Sequence, residues 1–281
     1  DEVIRNFNQA LFSWFRRHRR EMAWRETFDP YRILVSEIML QQTQVDRVRE
    51  KYEQFLKLFP DVDALARATR ADVLRAWSGL GYNRRAAYLH ECARVVVQKH
   101  DGVFPRTYDT LTELPGIGRS TAGALLAFAF GADTPMIDTN IRRILTRVFF
   151  ADVSPRPSDA ELYRFAASII PKGKGREWNY AMLDVGATRC TARQHDPTCP
   201  FQDLHGPVEN FVYKKPQSRF VGSRRSYRGK IIRLLIEEGT VSVRTLALRI
   251  GLSREEVDDI IGDLLSERLV SRHNARIALS E

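Results

Sequence analysis

Cysteine is scarce, with three residues in a chain of 281. Cys92, Cys190 and Cys199 are too few and too scattered for a disulfide framework. Long apolar runs are missing as well: no stretch approaches the ~18 residues of a membrane span, and the opening Asp-Glu-Val-Ile-Arg-Asn lacks a secretory pattern. These absences argue against a disulfide-stapled secreted scaffold and a helical membrane protein. They leave an intracellular protein, cytoplasmic or nucleoid-associated, with no membrane partner. Acid is in deficit too, because 44 Lys and Arg against 35 Asp and Glu give a formal charge of +9. Arg far outnumbers Lys, and forked guanidinium groups favour a polyanionic partner. Charge alone does not separate DNA from RNA.

Strand alternation is the last absence. From Ile4 to about Phe150 apolar residues recur every three or four positions, as in Phe7, Leu11 and Trp14. The breaks carry turn chemistry, as in Phe28-Asp-Pro, Gly79-Leu-Gly-Tyr and Gly102-Val-Phe-Pro, so an all-α bundle of short helices is predicted. The 43% hydrophobic content is ample for one large domain with an appendage or for two domains. Further helices are predicted over Ser158–Ile170 and Trp178–Gly186. After a stretch rich in Pro, Gly and basic residues, the tail from Arg228 reads as three helices and a hairpin, the layout of a winged helix. Its second-to-last element carries Glu255, Glu256, Asp258, Asp259, Asp263 and Glu267, acids that phosphates would repel. That helix is therefore expected to pack or to bind a protein partner, while basic residues of the wing and linker touch a DNA backbone.

Three features could carry chemistry. Leu114-Pro-Gly-Ile-Gly-Arg-Ser-Thr-Ala-Gly is a turn before a helix over Arg119–Phe130, in which Gly116 and Gly118 permit positive φ and free N–H groups attract an anion; it also fits an ordinary tight turn. A helix running from Ile33 to Val45 sets Glu37, Gln41 and Gln44 on one face among apolar neighbours. There Glu37 is either a desolvated acid holding a proton or a structural carboxylate paired with Arg. Asp138 precedes a helix over Thr139–Phe149, whose end favours the ionised form; it serves as an N-cap, a reactive carboxylate, or both. Two acids in opposite electrostatic settings match glycosidic cleavage, where one group protonates the leaving base and the other supports a cationic sugar.

Trp24-Arg-Glu-Thr-Phe-Asp-Pro-Tyr, Ser36-Glu-Ile-Met-Leu-Gln-Gln-Thr-Gln-Val, Gly79-Leu-Gly-Tyr, the glycine turn at 114–123 and Ile137-Asp-Thr-Asn occur in this order. Together they resemble the adenine DNA glycosylase (MutY) family of helix-hairpin-helix glycosylases, over roughly residues 1–205. The resemblance implies an all-α, two-lobed helix-hairpin-helix glycosylase fold with a C-terminal winged-helix-like domain. One lobe would comprise 1–22 and 135–206 with Asp138, and a helical barrel lobe 23–134 with Glu37; a basic linker, 207–227, would lead to the winged domain, 228–281. It implies base excision repair on double-stranded DNA, removing adenine mispaired with 8-oxoguanine or guanine, by a monomer. Glu37 would protonate the adenine ring, Asp138 stabilise the sugar cation, and Asn140 support Asp138. Arg25, Ser120 and Tyr180 would line the base pocket; Gln42 and Tyr82 would wedge into the stack, Thr43 and Leu80 meet the opposite guanine, and Gly116, Gly118 and Ser120 hold the backbone. Where bifunctional relatives carry a Lys, Ser120 cannot form a Schiff base, so hydrolysis without strand cleavage is expected.

Departures from the family pattern carry their own expectations. Four cysteines usually hold an iron–sulfur cluster, but Pro197, Pro200 and Gly206 stand where three of them would be, so no [4Fe–4S] cofactor is expected. A zinc set of Cys190, His195, Cys199 and His205 is the alternative, in a spacing that fits no standard signature. Tyr180 replaces a Gln or Glu that would meet the adenine edge. This opens a second reading, removal of thymine or uracil opposite guanine; a noncatalytic DNA-binding protein is the third. The tail leaves no room for the usual nucleotide-hydrolase-like module, so discrimination for 8-oxoguanine would rest on Thr43, Leu80 and the linker.

Overall fold

The computed structural model describes residues 2–192, 196–204 and 219–281, and contacts divide these into two compact units. In chain order the helices are α1 (Glu2–His18), α2 (Pro30–Leu40), α3 (Val45–Leu58), α4 (Val62–Arg67), α5 (Arg70–Ala76), α6 (Arg84–His100) and α7 (Tyr108–Thr112). They continue with α8 (Arg119–Phe128), α9 (Thr139–Phe149), α10 (Asp159–Ile169), α11 (Gly175–Thr188), α12 (Arg224–Glu238), α13 (Val243–Ile250) and α14 (Arg254–Ser266). Short strands β1 (Val241–Ser242), β2 (Val270–His273) and β3 (Arg276–Leu279) form an antiparallel sheet in the order β1-β3-β2, with Val241 opposite Ile277 and Val270 opposite Leu279. None of the described helices is long and apolar enough to cross a membrane.

The first unit takes the described residues within 1–34, 106–113 and 117–215. The apolar stripe of α1 lies buried, and Phe7 stacks on Phe201 at 4.4 Å between ring centroids. Asn8 ties two helices together, donating to Ile169 O at 2.8 Å and accepting from Trp178 Nε1 at 3.0 Å. This grouping differs from the predicted lobes, because residues 23–34 and α8 fall with the Asp138 unit rather than with Glu37. The reason is close approach: a Cβ on Gly123 of α8 would stand 2.5 Å from Pro135 O, so helix and segment pack backbone to backbone.

The second unit takes the described residues within 35–105, 114–116 and 216–281. Helix starts are fixed by short side chains: Asp61 accepts from Ala64 N, Thr69 from Asp72 N, and Ser253 and Glu256 form a reciprocal capping box. Ser223 starts α12 at Arg224, four residues before the predicted start, by accepting from Ser226 N. Most of the predicted linker lies outside the described residues. The tail is a winged helix, and α12 packs on α5 as well as on α13 and α14, so it joins the barrel helices instead of standing apart. Four of its acids are paired with arginines of the same tail. Arg224 pairs with Asp259 and Asp263, Arg228 with Asp263 and Glu267, and Arg272 with Asp258.

His90 on α6 is 2% exposed, and desolvation, with Arg70 and Arg94 nearby, lowers its pKa to about 4 against the pull of Glu91. The unfolded chain therefore takes up a proton that the folded chain refuses. The associated stability is intact above pH ~6.5 and is lost as pH falls towards ~4, amounting to about 3 kcal/mol. Urea unfolding between pH 7 and 4 should show His90→Leu losing less stability on acidification than the parent; parallel curves would contradict this.

Candidate active site

Asp138 is positioned by α9. Its Oδ1 accepts from Asn140 N and Ile141 N at 2.8 Å each, and its Oδ2 from Asn140 Nδ2 at 2.9 Å. Arg143, one turn on, donates to Asn140 Oδ1 at 2.8 Å and to the carbonyls of Gly186 and Cys190 at 2.6 Å each. Burial nevertheless raises the Asp138 carboxyl above its ordinary value, opposed by these N–H donors and by Arg143. The helix-end argument is corrected here: the donors are present as predicted, but desolvation outweighs them.

The strand-like run leading to Asp138 is held from α11. Asn179, fully buried, accepts from Met136 N at 2.8 Å and donates to Thr134 O at 2.9 Å. Gly186 allows α9 to approach, since a Cβ there would lie 2.5 Å from Cβ of Asn140. Sequence reading missed Asn179, Gly186 and Arg143. Only its nearness to the Ile137-Asp-Thr-Asn motif could have pointed to Arg143, and nothing local marks the other two.

Of the predicted base-pocket residues, Arg25 and Tyr180 come together, with the guanidinium 4.5 Å from the ring centroid. Arg25 is committed to fully buried Asp184 through paired contacts of 2.8 Å, and Arg20 shares that acid. The Tyr180 ring stacks flat on Phe128 at 4.0 Å and is 7% exposed. Ser120, second residue of α8, lines a cavity of about 260 Å3 with Arg119, Ile137, Arg142, Tyr108 and Tyr163. Ile137 adjoins Asp138, so that cavity reaches the same stretch of chain.

In the second unit Glu37 sits half-buried on α2 between buried Ser36 and Ile38. The predicted continuous helix to Val45 does not form: α2 ends at Leu40, and Gln42 takes φ 56°. Gln41 and Gln44 therefore lie outside the helix that carries Glu37. Arg85, which sequence reading overlooked, explains the break. Its Nη1 donates to the carbonyls of Ile38 and Met39 at 3.0 Å each and to Gln41 O, taking up acceptors that a helix end leaves open. Its Nη2 donates to Thr43 Oγ1 at 3.0 Å and to the carbonyls of Leu80 and Gly81 at 3.2 Å each. One guanidinium thus binds the 38–43 turn to the 80–82 turn. Exposed Gln42 and half-buried Tyr82, with φ 48°, stand on these two turns, whereas Leu80 is 4% exposed.

At the glycine turn, Gly116 has φ 78°, and an added Cβ would sit 2.6 Å from Tyr88 Cβ. Gly118, expected at positive φ, has φ −90° as the N-cap of α8; no side chain caps that helix, and nothing lies within 4 Å of an added Cβ.

Residues 35–172 match the family model described as HhH-GPD superfamily base excision DNA repair protein. The chain is 38% identical over 278 residues to the adenine DNA glycosylase of Mycolicibacterium smegmatis, covering 96% of this chain and 94% of that one. It is 34% identical over 273 residues to the adenine DNA glycosylase of Mycobacterium tuberculosis, covering 93% and 89%. The chain belongs to the adenine DNA glycosylase family. The human family member is 37% identical over 210 residues, which span 70% of this chain but 38% of that protein. Among solved structures, a thermostable thymine-DNA glycosylase superposes with a TM-score of 0.68 at 28% identity, covering 73% of this chain and 95% of that one. A non-covalent endonuclease III–DNA complex gives 0.62 at 21% identity, covering 72% and 94%, which is a likeness of fold. The overlap with the mycobacterial glycosylases is long enough that the aligned stretch takes in residues of the winged tail as well as the helical units.

Cys190 and Cys199 are buried free thiols, and Arg147 Nη1 donates to Cys190 Sγ at 3.3 Å. A hydrogen bond with Cys190, together with burial, holds the Cys199 thiol protonated. His195 and His205 lie outside the described residues. Among the described residues no three or more His, Cys, Asp or Glu side chains group as a metal site.

Gly186→Ala should force α9 and Asn140 off Asp138, costing about 1–3 kcal/mol of stability and slowing base release in single turnover. Gly262→Ala on α14, where an added Cβ meets nothing within 4 Å, should leave turnover unchanged. Equal turnover in the two variants would show that close packing at Gly186 does not position Asn140.

Proposed function

We propose that the chain hydrolyses the N-glycosidic bond of adenine in duplex DNA, where adenine is mispaired with 8-oxoguanine or guanine. Family membership and the Asp138–Asn140–Arg143 network carry this reading. Glu37 protonates the ring of the extruded adenine, which makes it a better leaving group. Asp138, as the carboxylate, stabilises the sugar cation while water attacks, and Asn140 fixes its orientation. Flipping a mispaired base costs a few kcal/mol, and Gln42 and Tyr82 offset it as wedges, a reading supported by their standing on the two turns that Arg85 joins. Thr43 faces the opposite guanine. Gly118 supports a phosphate at the uncapped start of α8, because neither its φ nor its packing needs a glycine. With Ser120 in place of an amine the strand stays intact.

The residues around Cys190 do not fit a four-thiolate cluster, since two thiols and a guanidinium occupy the loop; the protein works without one. A second reading, removal of thymine opposite guanine, draws on Tyr180, whose buried phenol replaces an amide or acid.

Single-turnover assays on duplexes with adenine opposite 8-oxoguanine, adenine opposite guanine, thymine opposite guanine and uracil opposite guanine test these readings. Adenine release is expected from the first two, with strand breaks only after alkali. Thymine release alone, or breaks before alkali, would overturn the proposal. Glu37→Gln should bind the mismatch but lose at least about 100-fold in rate. The purified protein should be colourless and free of iron.

A further inference from the structure

The tail touches the wedge. Arg225, second residue of α12, donates from Nη1 to Tyr82 Oη at 2.6 Å, and its guanidinium carbon lies 5.5 Å from the Tyr82 ring centroid. The same guanidinium lies 5.5 Å from the ring of Phe220, so a cation is shared between two aromatic faces. Phe220 is 58% exposed and Val221 88%, an unusual cost for a fold with ample core. These residues stand on a firm base: Ser223 donates from N and Oγ to Phe220 O at 3.1 and 2.7 Å and then caps α12.

Helix α12 divides its arginines by direction. Arg224 and Arg228, one turn apart, pair with Asp259 and Asp263 of α14 and with Glu267 just beyond it. Arg225 is directed instead to Tyr82. The acids that argued against DNA reading by α14 thus act as anchors for a helix whose other face meets the 80–82 turn.

We propose that Phe220, Arg225 and Tyr82 form a stacking subsite for a nucleobase flanking the mismatch in duplex DNA, so that the winged tail extends the wedge. An exposed ring, Phe220, and a half-buried one, Tyr82, joined by a guanidinium suit a nucleic acid: the rings take the flat face of a base and the cation favours the adjoining phosphates. The proposal rests on the reading of Tyr82 as a wedge in DNA. Arg225 is a positioning residue, and Phe220 supplies the new contact.

The test uses the full chain and fluorescence anisotropy with an adenine–guanine duplex and a fully paired duplex of the same sequence. Phe220→Ala should weaken mismatch binding about tenfold without lowering the melting temperature, and Phe220→Trp should restore it. A 2-aminopurine placed beside the mismatch should be quenched by the parent protein and less so by Arg225→Ala. Parental affinity for Phe220→Ala, with unchanged 2-aminopurine quenching in both Phe220→Ala and Arg225→Ala, would overturn the proposal. Binding is read without turnover, so this result is independent of whether adenine is the base released.

Discussion

At Asp138 burial, which favours the neutral acid, opposes N–H donors, which favour the carboxylate, and the proposed role of this residue depends on that balance. Desolvation alone would leave the carboxyl protonated and inert as support for a cation. Two backbone N–H groups and the Asn140 amide work against it, and Arg143 adds a nearby positive charge. The donors come from the first turn of α9 itself; around them Gly186 lets α11 approach Asn140 closely, and Asn179 pins the run before Asp138. Arg143 then links the network to the Cys190 loop. The Cys190 loop is held by two buried arginines, for which its carbonyls and thiol serve as acceptors.

The second unit solves a different problem with a similar device. Chain turns that must present side chains outward cannot also bury many apolar groups, so they need polar stitching. Arg85 supplies it, satisfying carbonyls on two turns at once, although desolvation lowers its own pKa to about 10. A lysine could not fork in this way. Arg225 approaches the same Tyr82 from the tail, which connects a domain of obscure purpose to the proposed recognition surface.

The fold was legible wherever periodicity and turn chemistry agreed. The helix over Thr139–Phe149, the α13 span and the winged hairpin follow from apolar spacing and from Asp138, Ser242 and Gly251 at their ends. The Glu37 helix was overextended because the stop lies in Arg85, more than 40 residues away, and apolar spacing runs on past it. The positive φ assigned to Gly118 failed since a glycine signals permission, not conformation. Glu37, Asp138 and Asn140 were readable as motif residues, as was the meeting of Arg25 with Tyr180. Their supports were not: Asn179, Asp184 and Gly186 act through contacts that only packing of α11 creates, and no local pattern announces them.

The central claim is that Asp138 must be ionised for base release while burial resists its ionisation. The pH dependence of single-turnover adenine release tests this most directly, in the parent and in Asn140→Leu. Because burial raises the Asp138 carboxyl above its ordinary value of 3.8, the acid limb of the parent should lie above that value. Removing the Asn140 amide takes away a donor that favours the carboxylate, so the limb should move to higher pH. An acid limb at the ordinary carboxylate value, or one that stays in place in Asn140→Leu, would contradict the account.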